Sequence, residues 1–179
     1  MPKQVYVITG GPCVGKTTIL NDLKKKGYHV MHEIARKIIE EQQATGGDIL
    51  PWKDINRFQE VLLENHLKHE SELPEEIVFI DRGIGDILAY CEVYGIDPPK
   101  DTHKHGSPPR YHKIILLDQL PSYEKDDVRK EDPEMARKIH ESIEKVYRKL
   151  GYDIINVPPL PPEKRLQWLI KEIRMDTHQ

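Results

Sequence analysis

Val5-Tyr6-Val7-Ile8-Thr9-Gly10-Gly11-Pro12-Cys13-Val14-Gly15-Lys16-Thr17-Thr18 decides how the rest of this chain is read. Val5–Ile8 is a short apolar run of the kind that forms a buried strand. From Lys16 to Lys26 the spacing predicts a helix, with Ile19, Leu20 and Leu23 on one face and Gly27 as its stop. Between them, Gly10–Thr17 fills every fixed position of G-x-x-x-x-G-K-[ST]. Glycines let backbone N–H groups curl around a phosphate without side-chain obstruction. A helix starting at Lys16 then offers its unpaired amides and positive dipole end to the same anion. Lys16 supplies a point charge for the β- and γ-phosphates, and the Thr17 hydroxyl is a hard oxygen ligand suited to Mg²⁺. The plain alternative is a glycine-rich turn that happens to precede a lysine, but the strand-loop-helix setting is the one the chemistry requires. The nucleotide-binding residues expected are Gly10, Gly11, Pro12, Cys13, Val14, Gly15, Lys16, Thr17 and Thr18, with ATP as ligand and GTP left open.

Downstream, short apolar runs alternate with helical patterns, which predicts a parallel α/β sheet. Tyr28–Met31, Ile77–Ile80, Ile114–Leu117 and Tyr152–Val157 read as strands two to five. Helical spacing connects Ile34, Ile38 and Ile39, then Ile55, Phe58, Leu62 and His66, then Gly85 to Tyr94. A long helix carries Met135, Ile139, Ile143, Val146, Tyr147 and Leu150, and a last one Leu166, Leu169, Ile170 and Ile173. Asp97–Arg110 contains four prolines and is expected to be an exposed loop. Its His103 and His105, with nearby His112, lack the spacing and cysteine partners of a structural zinc site.

The 179 residues suggest a single domain spanning 1–179. Lys and Arg total 27 against 30 Asp and Glu, a net charge of −3, which gives no electrostatic case for nucleic acid or an anionic membrane. No apolar run approaches the ~20 residues of a membrane span. The start of the chain runs directly into a strand, so no signal peptide is expected. Two cysteines, one of them inside the phosphate loop, suit free thiols in a reducing, cytoplasmic setting.

The guanine-reading N-K-x-D and a D-x-x-G switch after strand three are absent from the sequence. What remains resembles the nucleoside and nucleotide kinase branch of P-loop proteins. Asp81-Arg82 looks like the acidic-Arg pair of deoxynucleoside and thymidylate kinases, His32-Glu33 stands where those kinases place the carboxylate that orients the acceptor hydroxyl, and Arg129-Lys130 stands where they have a basic lid. More narrowly, the chain resembles the AAA-type ATPase/kinase family related to the nicotinamide-riboside kinase domain. That resemblance rests on Val7–Pro12, Glu33–Arg36, Gly47–Trp52, Phe79–Gly83 and Asp127–Glu131.

The resemblance implies a three-layer P-loop NTPase fold with a five-stranded parallel sheet. It implies Thr17 and Asp81 at Mg²⁺, Glu33, Arg36 and Arg82 at the acceptor, and Lys16, Glu33, Asp81, Arg82 and Arg129 in phosphoryl transfer, with the adenine near Pro158–Leu160. Each downstream residue keeps a structural alternative. Asp81 could cap the next helix, Glu33 could serve the helix dipole, Arg36 and Arg82 could form ion pairs, and Arg129 could belong to a solvated charge run. The expected activity is transfer of the γ-phosphoryl group of Mg²⁺·ATP to a small-molecule acceptor by a monomer or homodimer. The alternatives are a nucleotide switch that recruits a protein or lipid, and a simple NTPase.

Overall fold

The computed structural model of the chain describes residues 3–12, 14–119 and 132–177. Five parallel strands form one sheet: β1 (Gln4–Thr9), β2 (His29–Met31), β3 (Ile77–Asp81), β4 (Lys113–Leu117) and β5 (Ile154–Val157), in the order β2-β3-β1-β4-β5. β1 is central and pairs Val7 with both Ile80 and Ile114. Because side chains alternate across a strand, Tyr6, Ile8, Phe79 and Ile115 pack on one face with α1 (Lys16–Lys25) and α7 (Pro162–Thr177). Val5, Val7, Ile80 and Ile114 pack on the other, beneath α4 (Ile84–Tyr94) and α6 (Pro133–Leu150). Burial on both faces explains why the strands read as continuous apolar runs.

A third cluster joins α2 (Ile34–Thr45), α3 (Ile55–Ser71) and α4 through Ile38, Phe58, Leu62 and Ile87. It lies beyond β2, the short edge strand, and forms the flank on which a cavity opens. Here tertiary contacts correct the sequence reading. Asp97–Arg110 is not wholly an exposed loop, because it contains α5 (Thr102–Gly106), where Thr102 and Gly106 are buried. Tyr152 accounts for part of this, since its hydroxyl donates to Gly106 O at 2.7 Å. That inward turn also starts β5 at Ile154 rather than at Tyr152. Among the described residues no helix is long and apolar enough to cross a membrane.

The α4–α6 contact is close enough to test. A Cβ added to Gly85 would lie on the Tyr147 ring, 2.5 Å from Cζ. Helix propensity alone would make Gly85→Ala stabilising by about 1 kcal/mol. Overlap with a fully buried ring reverses that sign, and we expect a loss of about 1–3 kcal/mol by urea denaturation. A more stable variant would contradict the packing described.

Candidate active site

The phosphate loop leaves β1 at Gly10, whose φ is +145° and whose added Cβ would meet Leu117 O and Val14 Cγ2 at 2.9 Å. Gly15, at φ +86°, turns the chain into α1 without any side-chain cap or acidic residue in the first turn. That helix start is therefore built to face an anion rather than to satisfy itself. Two ties from distant elements fix the loop. Gly11 N–H donates to His140 Nδ1 on α6 at 2.9 Å. Arg165 on α7 donates to Val14 O at 2.5 Å and to Asp118 O at 2.7 Å, joining the loop to the end of β4.

Lys16 is half-buried, and burial, then repulsion from Arg82, pulls its pKa down to about 8 against the opposing pull of Asp81, Glu33 and Asp86. Asp81 ends β3 beside Ile8 in register. Its carboxyl is buried, and Oδ1 has no hydrogen-bond partner. Burial pushes its pKa up, Lys16 pulls it down, and Glu33 adds to the rise. A buried, unpaired carboxylate oxygen is a poor helix cap and a good partner for a cation or its water. Among the described residues no cluster of three or more His, Cys, Asp or Glu could hold a metal. A single carboxylate oxygen near a phosphate loop is the kind of donor that Mg²⁺ uses together with phosphates and water.

Arg82 occupies the left-handed region at φ +64°, uncommon for a non-glycine residue and worth about 1–3 kcal/mol of strain. Its surroundings hold it there. The backbone N–H donates to Ile8 O at 2.9 Å, and Nη1 donates to both Gly10 O and Asp86 Oδ2 at 2.9 Å. The guanidinium lies over the Tyr90 ring, 5.3 Å from its centroid. Burial opposes its charge, but Tyr90, Asp86, Glu33 and Asp81 together hold it protonated beyond the usual arginine range. Glu33 sits at the N-cap position of α2 without capping it, and its Oε1 lies 3.8 Å from Arg82 Nε.

Glu33, Asp81 and Arg82 line the mouth of a cavity of about 170 Å³ that runs back between α2, α3 and α4. Its walls are mainly apolar. A second cavity, of about 110 Å³, lies outside α1, bounded by Gly15, Thr18, Ile19, Leu160, Pro162 and Arg165. The structure thus gathers Lys16, Glu33, Asp81 and Arg82 around one edge of the sheet, and Thr18 at its other side. Arg36 is exposed on α2 and does not line the cavity. Thr17 is exposed at the first turn of α1, and Gly11, Pro12 and Val14 lie in the loop. Cys13 and Arg129 lie outside the described residues. Sequence reasoning missed Asp86, His140, Arg165 and Gln59. Of these, only Asp86 left a local signal, four residues after Arg82 on the same helix start.

A family model described as an AAA domain matches residues 5–165. The chain belongs to this family. Its fold is shared with thymidylate kinase from Ehrlichia chaffeensis, at a TM-score of 0.70 and 13% identity, covering 97% of this chain and 100% of that one. Deoxyadenosine kinase from M. mycoides gives 0.67 at 16% identity, covering 96% and 99%. NadR protein in complex with NR gives 0.63 at 18% identity, covering 87% of this chain and 45% of that one. A sequence search of curated proteins finds no match. At these identities the likenesses show a shared fold.

The His140 tie gives the loop a pH dependence. Burial lowers the His140 pKa, with Asp118, Glu144 and Glu141 opposing and Arg82 adding to the fall. The folded state therefore favours the neutral ring, whose Nδ1 can accept the Gly11 N–H. Its contribution is complete above the unfolded histidine value of roughly 6.5 and is lost as pH falls below it. We expect stability to drop between pH 7 and pH 5. In His140→Gln, where an amide oxygen replaces the ring nitrogen, the slope should shrink by up to one proton. Denaturant titrations across that range would show it, and an unaltered slope would remove His140 as the titrating group.

Proposed function

We propose that this protein transfers the γ-phosphoryl group of Mg²⁺·ATP to a small-molecule acceptor held in the cavity between α2, α3 and α4. The observation that carries this reading is the position of Glu33. Its carboxylate does not cap α2, lies at the cavity mouth beside Arg82 and Asp81, and shares the sheet edge with the phosphate loop. In open α/β sheets ligands bind at that edge.

Phosphoryl transfer needs positioning and charge neutralisation more than covalent chemistry. The amides of Gly10–Thr17 and Lys16 would hold the β- and γ-phosphates. Thr17 and Asp81 would hold Mg²⁺, which when bound offsets phosphate charge. Glu33 would orient the acceptor hydroxyl and take its proton. Arg82 would present positive charge from a position fixed by Asp86 and Gly10 O. The adenine would occupy the smaller cavity at Thr18, Leu160 and Pro162, at the turn expected from the sequence. The kinases that share this fold support the same reading. Arg129 and Arg36 would add charge from the lid and from α2, and the reaction would take place in the cytoplasm.

Two experiments test this. Lys16→Ala should weaken ATP binding at least tenfold, about 1.4 kcal/mol, by calorimetry. In the parent, phosphate favours the charged amine, so affinity should fall as pH rises through about 8, a trend Lys16→Ala should lack. Unchanged affinity in the variant would remove the nucleotide site from this loop.

Glu33→Gln should keep Mg²⁺·ATP binding while cutting acceptor-dependent turnover at least a hundredfold, the scale of a lost general base. Parent-like turnover in that variant would overturn the role of Glu33. An acceptor panel that never stimulates ATP consumption would replace phosphotransfer with the nucleotide-switch reading.

A further inference from the structure

α7 carries two stripes of side chains. Leu166, Leu169 and Ile173 are buried against the sheet. Ile170, Lys171, Arg174 and Met175 repeat at three- and four-residue intervals along another side of the helix. That second stripe lines a groove of about 1070 Å³, together with Lys25, Lys26 and Tyr28 where α1 ends. The phosphate loop stands at the opposite end of α1, ten residues and about 15 Å away. No residue of the proposed reaction lines the groove.

Its charge is of one sign. Lys25, Lys26, Lys171 and Arg174 line it, and among the described residues no acid does. In a chain of net charge −3 this concentration runs against the average. Helix dipoles favour Lys25 and Arg174 in the last turns of their helices, but they explain neither Lys171 nor the missing acid. Lys25, Lys26 and Lys171 are exposed and enter no ion pair among the described residues, whereas Lys53 and Lys145 each hold an acid. Between these cations the lining is apolar. Tyr28 is half-buried and fixed to the core by its edge-on contact with the Phe79 ring at 5.3 Å. Ile170 is half-buried too, and Met175, 54% exposed, is the most exposed large apolar side chain among the described residues. A flexible thioether adapts well to the surface of a partner.

Size and composition decide the occupant. The groove exceeds the roughly 300–1,000 Å³ of small-molecule pockets, so it suits a segment of polypeptide. Carboxylates would answer the four cations, and an apolar side chain would cover Tyr28, Ile170 and Met175. A nucleic-acid strand offers phosphates but no aliphatic group for Ile170 and Met175, and a flat bilayer surface meets the rim of a groove rather than its floor. We propose that this groove docks an acidic peptide segment of a partner protein, anchored by one apolar side chain. The inference stands on the groove alone and is independent of phosphotransfer. Because the groove and the phosphate loop lie at opposite ends of α1, peptide and nucleotide bind at the same time.

Exposed ion pairs are individually weak, so the affinity comes from the set together with the apolar contact and falls with salt. The test selects a phage-displayed library of random peptides on the full chain, in parallel with a chain carrying Lys25→Glu and Lys171→Glu. The parent should enrich sequences in which Asp and Glu flank an apolar residue, and the charge-reversed chain should not. A synthetic peptide of the enriched sequence, followed by fluorescence anisotropy, should bind the charge-reversed chain at least tenfold more weakly, with ATP affinity unchanged. Raising salt from about 0.05 M to about 0.5 M should weaken parent binding about tenfold. Met175→Ser should weaken it at least threefold while keeping that salt dependence. Should the charge-reversed chain lose its fold by circular dichroism, Lys25→Gln with Lys171→Gln takes its place. A library that enriches nothing acidic, or a peptide that binds all these variants like the parent, would overturn the proposal. So would phosphatidylserine vesicles or a single-stranded oligonucleotide that bind through Lys25 and Lys171 more tightly than the peptide.

Discussion

The buried carboxylate of Asp86 accepts hydrogen bonds from three parts of the chain. Thr9 Oγ1 at the end of β1 donates to Oδ2 at 2.5 Å, beside Arg82 Nη1, while Gly83 N–H and the Tyr147 hydroxyl of α6 donate to Oδ1 at 3.1 and 2.5 Å. With both oxygens doubly engaged, the charge is compensated in the geometry a buried ion needs. Arg82 depends on this arrangement most, because its backbone is strained and its guanidinium is buried. Removing one partner of such a pair typically costs about 3–5 kcal/mol, since the other charge is left without compensation. Arg82 in turn holds Gly10 O, so the opening of the phosphate loop, the end of β3 and the start of α4 are placed by one ion pair. The close packing of α4 on α6 follows from the same centre, through Tyr147 and the space left by Gly85.

Around that centre the charges are separated by task. Lys16 and the open start of α1 face the loop side, and Glu33 and Asp81 face the cavity side, with Arg82 between them. Lys16 is depressed by burial and by Arg82, and Asp81 is raised by burial and Glu33. Both shifts come mainly from burial, and each charge is partly offset by the other. On the reading proposed above, an anion beside Lys16 and a cation beside Asp81 would each favour the charged form.

What the sequence disclosed and what it hid divide by distance along the chain. β1, the loop and α1 were legible because the motif, the strand and the helix start are contiguous, and each is set by local chemistry. Asp81-Arg82 and Glu33 were named from the resemblance to nucleoside and nucleotide kinases, and the structure sets all three along one cavity. The element order followed from periodicity, which survives because every central strand is buried on both faces. The hidden residues act across long separations. His140 reaches Gly11 over 129 positions, and Arg165 reaches Val14 over 151. A lone histidine or arginine on an amphipathic helix carries no local mark of such a contact. α5 was hidden by the prolines on either side of it and by Tyr152, which reaches it from 46 positions away. Gln59 was hidden for another reason, since one polar residue within an apolar helical face reads as noise until its burial is known.

Folded chains rarely leave buried polar atoms unpaired, because each costs stability with nothing returned. Among the described residues four such side-chain atoms occur: Gln4 Oε1, Gln59 Oε1, Asp81 Oδ1 and Arg165 Nε. Gln4 begins β1 at the opposite end of that strand from the phosphate loop, and the structure gives it no role. The other three line the two cavities that flank the loop. Arg165 already uses Nη1 and Nη2 to hold the loop, and it lines the smaller of these two cavities. Asp81 is an acceptor next to the phosphate loop, and Gln59 is an amide deep in the apolar flank. A donor on α7, a charged acceptor at the end of β3 and a neutral amide on α3 are thus left unpaired beside these cavities. Burial without a partner costs stability at each of these three positions, and backbone strain costs more at Arg82, so the flanks of the loop are where the fold gives stability up.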